Sequence, residues 1–355
     1  MASSGETRRG VTIYSVADRA GVSIATVSRV LHGSATVSER TRLKVLEAAD
    51  DLAYLPSGAA RSLAARHHAT YGLVLPELKG PYYADLLVGF EGRAAELSRS
   101  VMVVIAGTKG DCGPAVRTLA SRVDGIAVLG ADAHSLDAWL KPVVIIAGEA
   151  RPGVEAVSTE NTESARYLTE HLLRHGRKRL LFVGDPDGAL DVHERHAGFL
   201  RAHEDNGITP ADPVRAEFCE EEGAAIAERV IAGEHDTDAL VCGNDELALA
   251  IMTGLIDAGI DVPGDIAVVG WDDVMTARYV RPGLTTVRQP VKLVGALAAE
   301  RLHDLVNGSV PSGERRVLPT EVVIRSSCGC PPRPVDGERP APRLGAASPK
   351  TPPHH

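Results

Sequence analysis

The feature that most constrains this chain is a pair of short helical patterns, joined by a glycine, in residues 12–33. In the first pattern the apolar residues share one helical face: Ile13, Val16, Ala17 and Ala20. Thr12 stands at the N-cap position, and Gly21 can end the helix because glycine adopts the left-handed conformation without penalty. Ser23 is then the expected N-cap of a second helix. Two short helices joined by a tight turn predict a helix-turn-helix, which places its second helix in the major groove of DNA.

The spacing alone would also fit two helices that belong to a larger core. The outer face of the second helix favours the helix-turn-helix over that alternative. Its predicted buried side consists of Val27, Val30 and Leu31. Ile24 and Ala25 instead lie at the end where a recognition helix meets base edges, and Arg29 lies one turn further on. A bidentate contact from an arginine to guanine is worth about 1–3 kcal/mol. Serine and threonine hydroxyls on the same helices can donate to phosphates. The predicted DNA contacts are therefore Thr12, Ser23, Ile24, Ala25, Thr26, Ser28 and Arg29.

The same stretch resembles a known family. Residues 12–31 read Thr-Ile-Tyr-x-Val-Ala-x-x-Ala-Gly-Val-Ser-x-x-Thr-Val-Ser-Arg-Val-Leu, which is similar to the DNA-binding head of the LacI/GalR transcriptional repressors. Ser15 and His32 depart from it, since the family usually has Asp and Asn there. The resemblance implies a homodimer that binds a pseudo-palindromic operator, with an affinity controlled by a small ligand held between two lobes.

The charge distribution agrees with a DNA-binding head at residues 11–55. Residues 1–68 contain nine Lys/Arg and six Asp/Glu, whereas the rest contains 29 and 41, within a total charge of −9. A basic head on an acidic body keeps only the head near phosphates. A third head helix is predicted to begin at Ser38 as N-cap and to pack through Val45, Leu46, Ala49 and Leu52.

Residues 56–67 form an alanine-rich linker to the body. An isolated helix shorter than about 12–15 residues is marginal in water, so this segment is expected to fold only against a partner. The resemblance implies paired hinge helices in the minor groove, with Leu63 as the wedge that opens the central base step. The alternative is a plain linker helix in which Leu63 packs on the body.

The body, residues 70–327, alternates short apolar runs with amphipathic helical stretches. This pattern predicts an α/β, two-lobed body made of two doubly wound parallel sheets with helices on both faces. The resemblance extends over this region and implies a periplasmic-binding-protein-like fold. The crossings between the lobes are expected near Ser158–Asn161, Val287–Pro290 and Pro319–Glu321. Residues 328–355 are proline-rich and nearly lack apolar residues, so a disordered tail is predicted.

The candidate effector site lies at the carboxyl ends of the predicted strands, where open α/β sheets bind ligands. In chain order Tyr82, Tyr83, Arg195, Asn244 and Asp272 resemble the family's effector contacts. Phe218, at the end of a predicted short strand, and Trp271 complete the candidate set as aromatic residues. Arg, Asn and Asp supply donors and acceptors for sugar hydroxyls, and aromatic rings can cover a sugar face or stack on a flat base. Simple alternatives are core packing for Tyr83 and Trp271 and helix N-caps for Asp245 and Asp273.

Other classes of function are disfavoured. Nucleophile-elbow, zinc-protease, P-loop and dinucleotide fingerprints do not occur in the sequence, so an enzyme is not predicted. The polar N-terminus and the absence of an apolar run of about 18 residues predict a cytoplasmic protein. Cys328 and Cys330 form a close pair without nearby histidine partners in the sequence, so no metal or cofactor is expected. The open alternatives are a ligand-dependent activator, or a purine or nucleoside sensor of the co-repressor type with the same architecture.

Overall fold

The computed structural model describes residues 11–31, 36–54, 68–107, 112–119, 121–130 and 141–331. The contacts divide the chain between His68 and Ala69 into a head and a body. The predicted hinge segment 56–67, with Leu63, and residues 332–355 of the predicted tail lie outside the described residues. Within the described part, no helix combines the length and apolar character needed to cross a membrane.

Among its described residues the head contains three helices: α1 (Ile13–Ala20), α2 (Ile24–Leu31) and α3 (Glu39–Asp51). They surround Val16, Val27 and Val45, which are fully buried. Gly21 ends α1 at φ 66°, in the left-handed region that favours glycine. Val45 and Ala49 of α3 are buried as predicted, but the prediction was wrong at Leu46, which is 43% exposed, because Ala48 occupies the inward face instead.

The first lobe of the body is built on a six-stranded parallel sheet with the order β10-β5-β4-β3-β1-β2. Its strands are β1 (Thr70–Leu75), β2 (Ser100–Ile105), β3 (Gly125–Leu129), β4 (Val143–Ile146), β5 (Glu155–Thr159) and β10 (Arg315–Leu318). Its helices are Pro81–Glu96, Gly113–Leu119 and Val291–Val306. The first and last of these pack closely because both carry glycine at the contact. A Cβ on Gly89 would lie 2.0 Å from the Lys292 carbonyl oxygen, and one on Gly295 would lie 2.3 Å from that of Leu86.

The second lobe contains a three-stranded parallel sheet, β6-β7-β8, and an antiparallel pair, β9-β11. These strands are β6 (Leu180–Val183), β7 (Ala239–Cys242), β8 (Ala267–Val269), β9 (Thr286–Arg288) and β11 (Glu321–Val323). The helices are Thr162–Arg174, Leu190–Asp205, Glu220–Ile231, Asp245–Asp257 and Met275–Tyr279. The predicted short strand ending at Phe218 was wrong, since only Val214 forms an isolated bridge, with Val183, in that stretch.

The part of the body that the structure describes passes between the lobes at three places. β5 ends at Thr159 in the first lobe, and the helix that begins at Thr162 belongs to the second. The return lies between β9 and the helix Val291–Val306, and the last crossing lies between β10 and β11. The crossings therefore fall where the sequence analysis placed them.

The carboxyl-terminal boundary of the body differs from the expectation. Cys328 is fully buried and belongs to the core of the second lobe, with Cys330 packed against it. The ordered body therefore extends past residue 327. The statement that these cysteines lack histidine partners was also wrong, because the fold brings His171 and His175 to within hydrogen-bonding distance of them. The partners are about 155 residues away in the sequence, where spacing rules for metal ligands do not reach.

Candidate DNA-binding face and effector cleft

The outer face of α2 presents the predicted DNA contacts of that helix. Ser23, Ile24, Ala25 and Arg29 are exposed, and Thr26 and Ser28 are half-buried. The Ser23 hydroxyl oxygen accepts a hydrogen bond from the Thr26 backbone N–H at 3.2 Å, so Ser23 caps the helix as expected. Thr12 is also exposed, at the start of α1, where its backbone N–H donates to the Ser15 hydroxyl oxygen at 3.4 Å.

A cavity of about 180 Å³ lies between the lobes. Six of the seven predicted effector residues line it: Tyr82, Tyr83, Arg195, Phe218, Asn244 and Asp272. Trp271 does not line the cavity. It is 2% exposed, and the Arg195 guanidinium lies 4.6 Å from its ring centroid. Its alternative role as a core aromatic therefore fits its position, with the ring supporting a cation in the manner of a cation–π contact.

Arg195 is held in one orientation by three groups. It projects from the helix Leu190–Asp205 and is 4% exposed. Its Nε–H donates to Asn161 Oδ1 at 3.0 Å, and one terminal nitrogen donates to the Gly243 carbonyl oxygen at 2.7 Å. Its other terminal nitrogen lies 3.6 Å from a carboxylate oxygen of Asp191. A buried guanidinium with fixed donors is suited to orient a polar ligand.

Asp191 is a cavity residue that the sequence analysis missed. It lies one helical turn before Arg195 and is 7% exposed, and its Oδ1 has no hydrogen-bond partner among the described residues. Burial raises the pKa of Asp191, although Arg195 acts in the opposite direction. The i,i+4 spacing from Arg195 was the available sequence signal, because residues at that spacing share a helix face.

Asp272 follows β8 in a strained backbone conformation, with φ 119°. Its Oδ1 accepts a hydrogen bond from the Gln289 side-chain amide at 2.6 Å. Burial raises the pKa of Asp272 to about 7, with Arg195 acting in the opposite direction. Gln289 lies at the second crossing and also lines the cavity, and the sequence analysis did not single it out. Asp272 therefore connects the cavity wall to a lobe crossing.

The neighbouring acids have structural roles. Asn244, not Asp245, caps the helix Asp245–Asp257, since its side-chain oxygen accepts from the Leu247 backbone N–H at 3.0 Å. Asp245 is fully buried and accepts hydrogen bonds from the Thr286 hydroxyl at 2.6 Å and the Val274 backbone N–H at 2.9 Å. Asp273 pairs with Arg288 at 2.7 Å and also with Arg325. Asp272 and Asp273 therefore diverge, and only Asp272 lines the cavity.

The aromatic wall comes from both lobes. Tyr82 and Tyr83 stand edge to face at the start of the helix Pro81–Glu96, with ring centroids 5.6 Å apart. The Tyr83 hydroxyl donates to a Glu77 carboxylate oxygen at 3.2 Å. Burial raises the pKa of both phenols well above the usual value, so they stay neutral. Phe218 faces them from the second lobe and packs against Gly243, where an added Cβ would lie 2.7 Å from the ring.

Comparison with known proteins shows which proteins share this architecture. Residues 12–57 match the bacterial regulatory proteins of the lacI family, and residues 169–328 match a periplasmic binding protein-like domain. Catabolite control protein A of Priestia megaterium is 30% identical over 89% of this chain and 99% of its own length. The chain belongs to the LacI family. GalR of Escherichia coli is 32% identical over 90% of the chain and 96% of its own length, and the repressor PurR of Photobacterium profundum is 33% identical over 89% and 98%.

Solved structures of LacI-family members have the same fold. The Lac repressor dimer bound to operator and the anti-inducer ONPF superposes with a TM-score of 0.83 at 28% identity, covering 90% of this chain and 99% of that one. The complex of the regulator CelR with cellobiose has a TM-score of 0.67 at 29% identity and covers 89% and 99%. This LacI-family protein is a DNA-binding transcriptional repressor controlled by a small-molecule effector.

Proposed function

We propose that the effector is a sugar or sugar derivative bound in the cavity between the lobes. The observation that carries this proposal is the arrangement of Arg195, Asp191 and Asp272 on one cavity wall, with the Asp191 Oδ1 atom buried. Each sugar hydroxyl can donate to a carboxylate while accepting from a guanidinium, so this set suits vicinal hydroxyls. The CelR structure with cellobiose supports a carbohydrate in the same fold.

The size and walls of the cavity favour a small ligand. Its volume of about 180 Å³ lies below the roughly 300–1,000 Å³ of most ligand pockets. The apolar wall formed by Tyr82, Tyr83 and Phe218 can cover one face of a sugar ring. The same rings can stack on a planar base, so a nucleobase or nucleoside is the second candidate.

We further propose a cytoplasmic homodimer that binds a pseudo-palindromic operator. The α2 face supplies base and phosphate contacts through Ile24, Ala25, Arg29 and the hydroxyls at Ser23, Thr26 and Ser28, and Thr12 supplies one more from α1. The Lac repressor dimer on its operator supports this arrangement.

In this hypothesis the hinge segment with Leu63 folds only when two bodies hold it against DNA, and the effector changes the spacing between those bodies. A coupling of about 1–3 kcal/mol corresponds to a change of about 5–150-fold in operator affinity. Whether the effector releases or recruits the protein is part of the test.

A thermal-shift screen over monosaccharides, disaccharides and nucleobases tests the ligand class, because ligands of the native state raise the melting temperature. Asp191→Asn is expected to lose most of the shift produced by a sugar hit. Asp187→Asn is the matched control, since the Asp187 side chain is 73% exposed and pairs with Arg215 outside the cavity. A hit confined to nucleobases would replace the sugar proposal with the second candidate. An equal response in the Asp191 and Asp187 variants would place the ligand elsewhere.

A further inference from the structure

Two thiols and two imidazoles meet on the second lobe, outside the effector cleft. His171 and His175 lie at the end of the helix Thr162–Arg174, and Cys328 and Cys330 follow β11. The Nε2 atom of His171 lies 3.3 Å from Cys328 Sγ and 3.5 Å from Cys330 Sγ. The Nε2 atom of His175 lies 3.3 Å from Cys330 Sγ. The donor atoms of His171, Cys328 and Cys330 all lie within 4.8 Å of one another.

We propose that these four side chains bind one Zn²⁺ ion. Zinc bonds of about 2.3 Å to sulfur and about 2.0–2.1 Å to nitrogen, at tetrahedral angles, place a sulfur and a nitrogen ligand about 3.6 Å apart. The three nitrogen–sulfur distances here are 3.3, 3.5 and 3.3 Å. These three distances lie within about 0.3 Å of that value. His175 lies outside the group whose donor atoms are all within 4.8 Å of one another, so its exposed ring must turn toward the ion to complete the site. Two cysteines and two histidines are a common ligand set of closed, structural zinc sites.

Local structure directs the four ligands toward one point. His171 and His175 are four residues apart, so their side chains share one face of the helix end. Gly329 separates the cysteines at φ 102°, a conformation that favours glycine and lets the chain turn sharply between the two thiols. The Thr285 hydroxyl lies 3.2 Å from Cys328 Sγ and donates to it. Such outer hydrogen bonds orient and tune metal ligands.

Charge and access also suit zinc. Two thiolates and two neutral imidazoles balance a divalent cation, so the loaded site is neutral beside the buried Cys328. Sulfur and imidazole ligands disfavour Mg²⁺ and Ca²⁺, which prefer oxygen. His175 is exposed and Cys330 half-buried, which gives the ion a path from solution. The site would tie the chain after the third crossing to the helix after the first, and so stabilise the second lobe.

The test uses the full chain purified with a tag free of histidine. Elemental analysis is expected to find one Zn²⁺ per chain, and Co²⁺ substitution is expected to give the visible absorption of a tetrahedral site with thiolate ligands. Added Zn²⁺ should raise the melting temperature. Cys330→Ser and His175→Gln should each weaken Zn²⁺ affinity more than about 100-fold, since loss of an outer-shell partner alone costs about 10–100-fold.

Cys219→Ser and His193→Gln are the matched controls, because they change the same residue types outside the cluster. Both should keep wild-type zinc content, and far-UV circular dichroism should show that all four variants are folded. A wild-type chain that stays free of metal after incubation with equimolar Zn²⁺ would overturn the proposal. Unchanged Zn²⁺ affinity in both ligand variants would do the same, as would a Cys328–Cys330 disulfide in the freshly purified protein.

Discussion

At the scale of single residues, the carboxylic acids that line the cleft are buried, which makes their ionised forms unfavourable. Burial raises the pKa of Asp191 and Asp272, and of these two only Asp191 forms an ion pair with Arg195. The fold therefore keeps acids in a place where their ionised forms are poorly solvated. Strain and buried charge of this kind are typical of binding sites, where the ligand supplies the missing partners.

Asp272 should make the free protein less stable as the pH rises. Its pKa is about 7 in the folded chain against an ordinary value of 3.8, so between these values the folded state holds a proton that the unfolded state has lost. Stability then falls with rising pH by up to about 1.4 kcal/mol per unit. Asp272→Asn removes this contribution. Urea denaturation from pH 5 to 8, without effector, should show the variant gaining stability relative to wild type up to pH 7. Parallel curves for the two proteins would contradict the assignment.

The residues of the cleft show how far the sequence alone could reach. Arg195 and Asp272 were recognisable because charged residues at strand or helix ends inside a cleft need partners. Asp191 was missed because an acid in the first turn of a helix has an ordinary explanation, the helix dipole. Trp271 was assigned to the cavity because position along the chain does not reveal which side of a strand end faces the ligand. The side on which the Trp271 ring lies depends on how it packs beneath the Arg195 guanidinium.

At the scale of elements, β5 is a strand that the hydrophobic pattern does not predict, although all of its residues are buried. Three of its five residues are polar, namely Glu155, Ser158 and Thr159, and each is satisfied by a distant partner. Glu155 is 1% exposed and accepts hydrogen bonds from the Arg301 Nε–H at 2.9 Å and the Ser312 backbone N–H at 3.0 Å. A buried strand has to be apolar only where the neighbouring elements offer no polar partners. A search of the sequence for apolar runs therefore misses a buried strand such as β5.

Glu155→Gln should destabilise the first lobe by about 3 kcal/mol at pH 7, the low end of the cost of breaking a buried ion pair. Hydrogen bonds from Arg301, the main cause, lower the pKa of Glu155 to about 2, so the stabilisation is complete above pH 4.5 and is lost as the pH falls towards 2. The gap between wild type and variant, measured by urea denaturation, should therefore close across that range. Glu163→Gln, which affects an exposed pair with Arg166, should change stability by less than about 0.5 kcal/mol. A gap that persists at pH 2 would exclude the ion pair as its cause.

At the scale of the whole body, polar side chains link the lobe crossings to one another. The Thr159 hydroxyl at the first crossing donates to the Gln289 side-chain oxygen at the second, at 2.6 Å. The Thr320 hydroxyl at the third donates to the Glu160 carbonyl oxygen at 3.0 Å. Because Gln289 also donates to Asp272, a ligand that engages this acid acts on the crossings directly. Lobe motion is the change that a cleft ligand is expected to bias, through its difference in affinity between two states.

An ion pair between the lobes makes this coupling testable without knowledge of the ligand. Arg315 on β10 of the first lobe pairs through both terminal nitrogens with Glu194 of the second, at 2.7 Å for one of the contacts, and Asn161 also donates to Glu194 at 3.0 Å. Burial alone would raise the pKa of Glu194, but the bonds from Arg315 and Asn161 outweigh it and hold that pKa below the usual range. Glu194 therefore stays ionised and fastens the lobes beside the first crossing.

Glu194→Gln should loosen the crossings while each lobe stays folded. Loss of a charge-assisted, two-point contact costs about 1.5–3 kcal/mol, so amide exchange at residues 159–162 and 318–321 should accelerate by at least about tenfold. Hydrogen–deuterium exchange with mass spectrometry measures this on the free protein. Glu234→Gln removes an exposed pair with Arg229 inside one lobe and should leave the crossings unchanged. Equal exchange in wild type and the Glu194 variant would mean that backbone packing alone sets the lobe angle, and effector control would then have to act through the cavity walls without release of this ion pair.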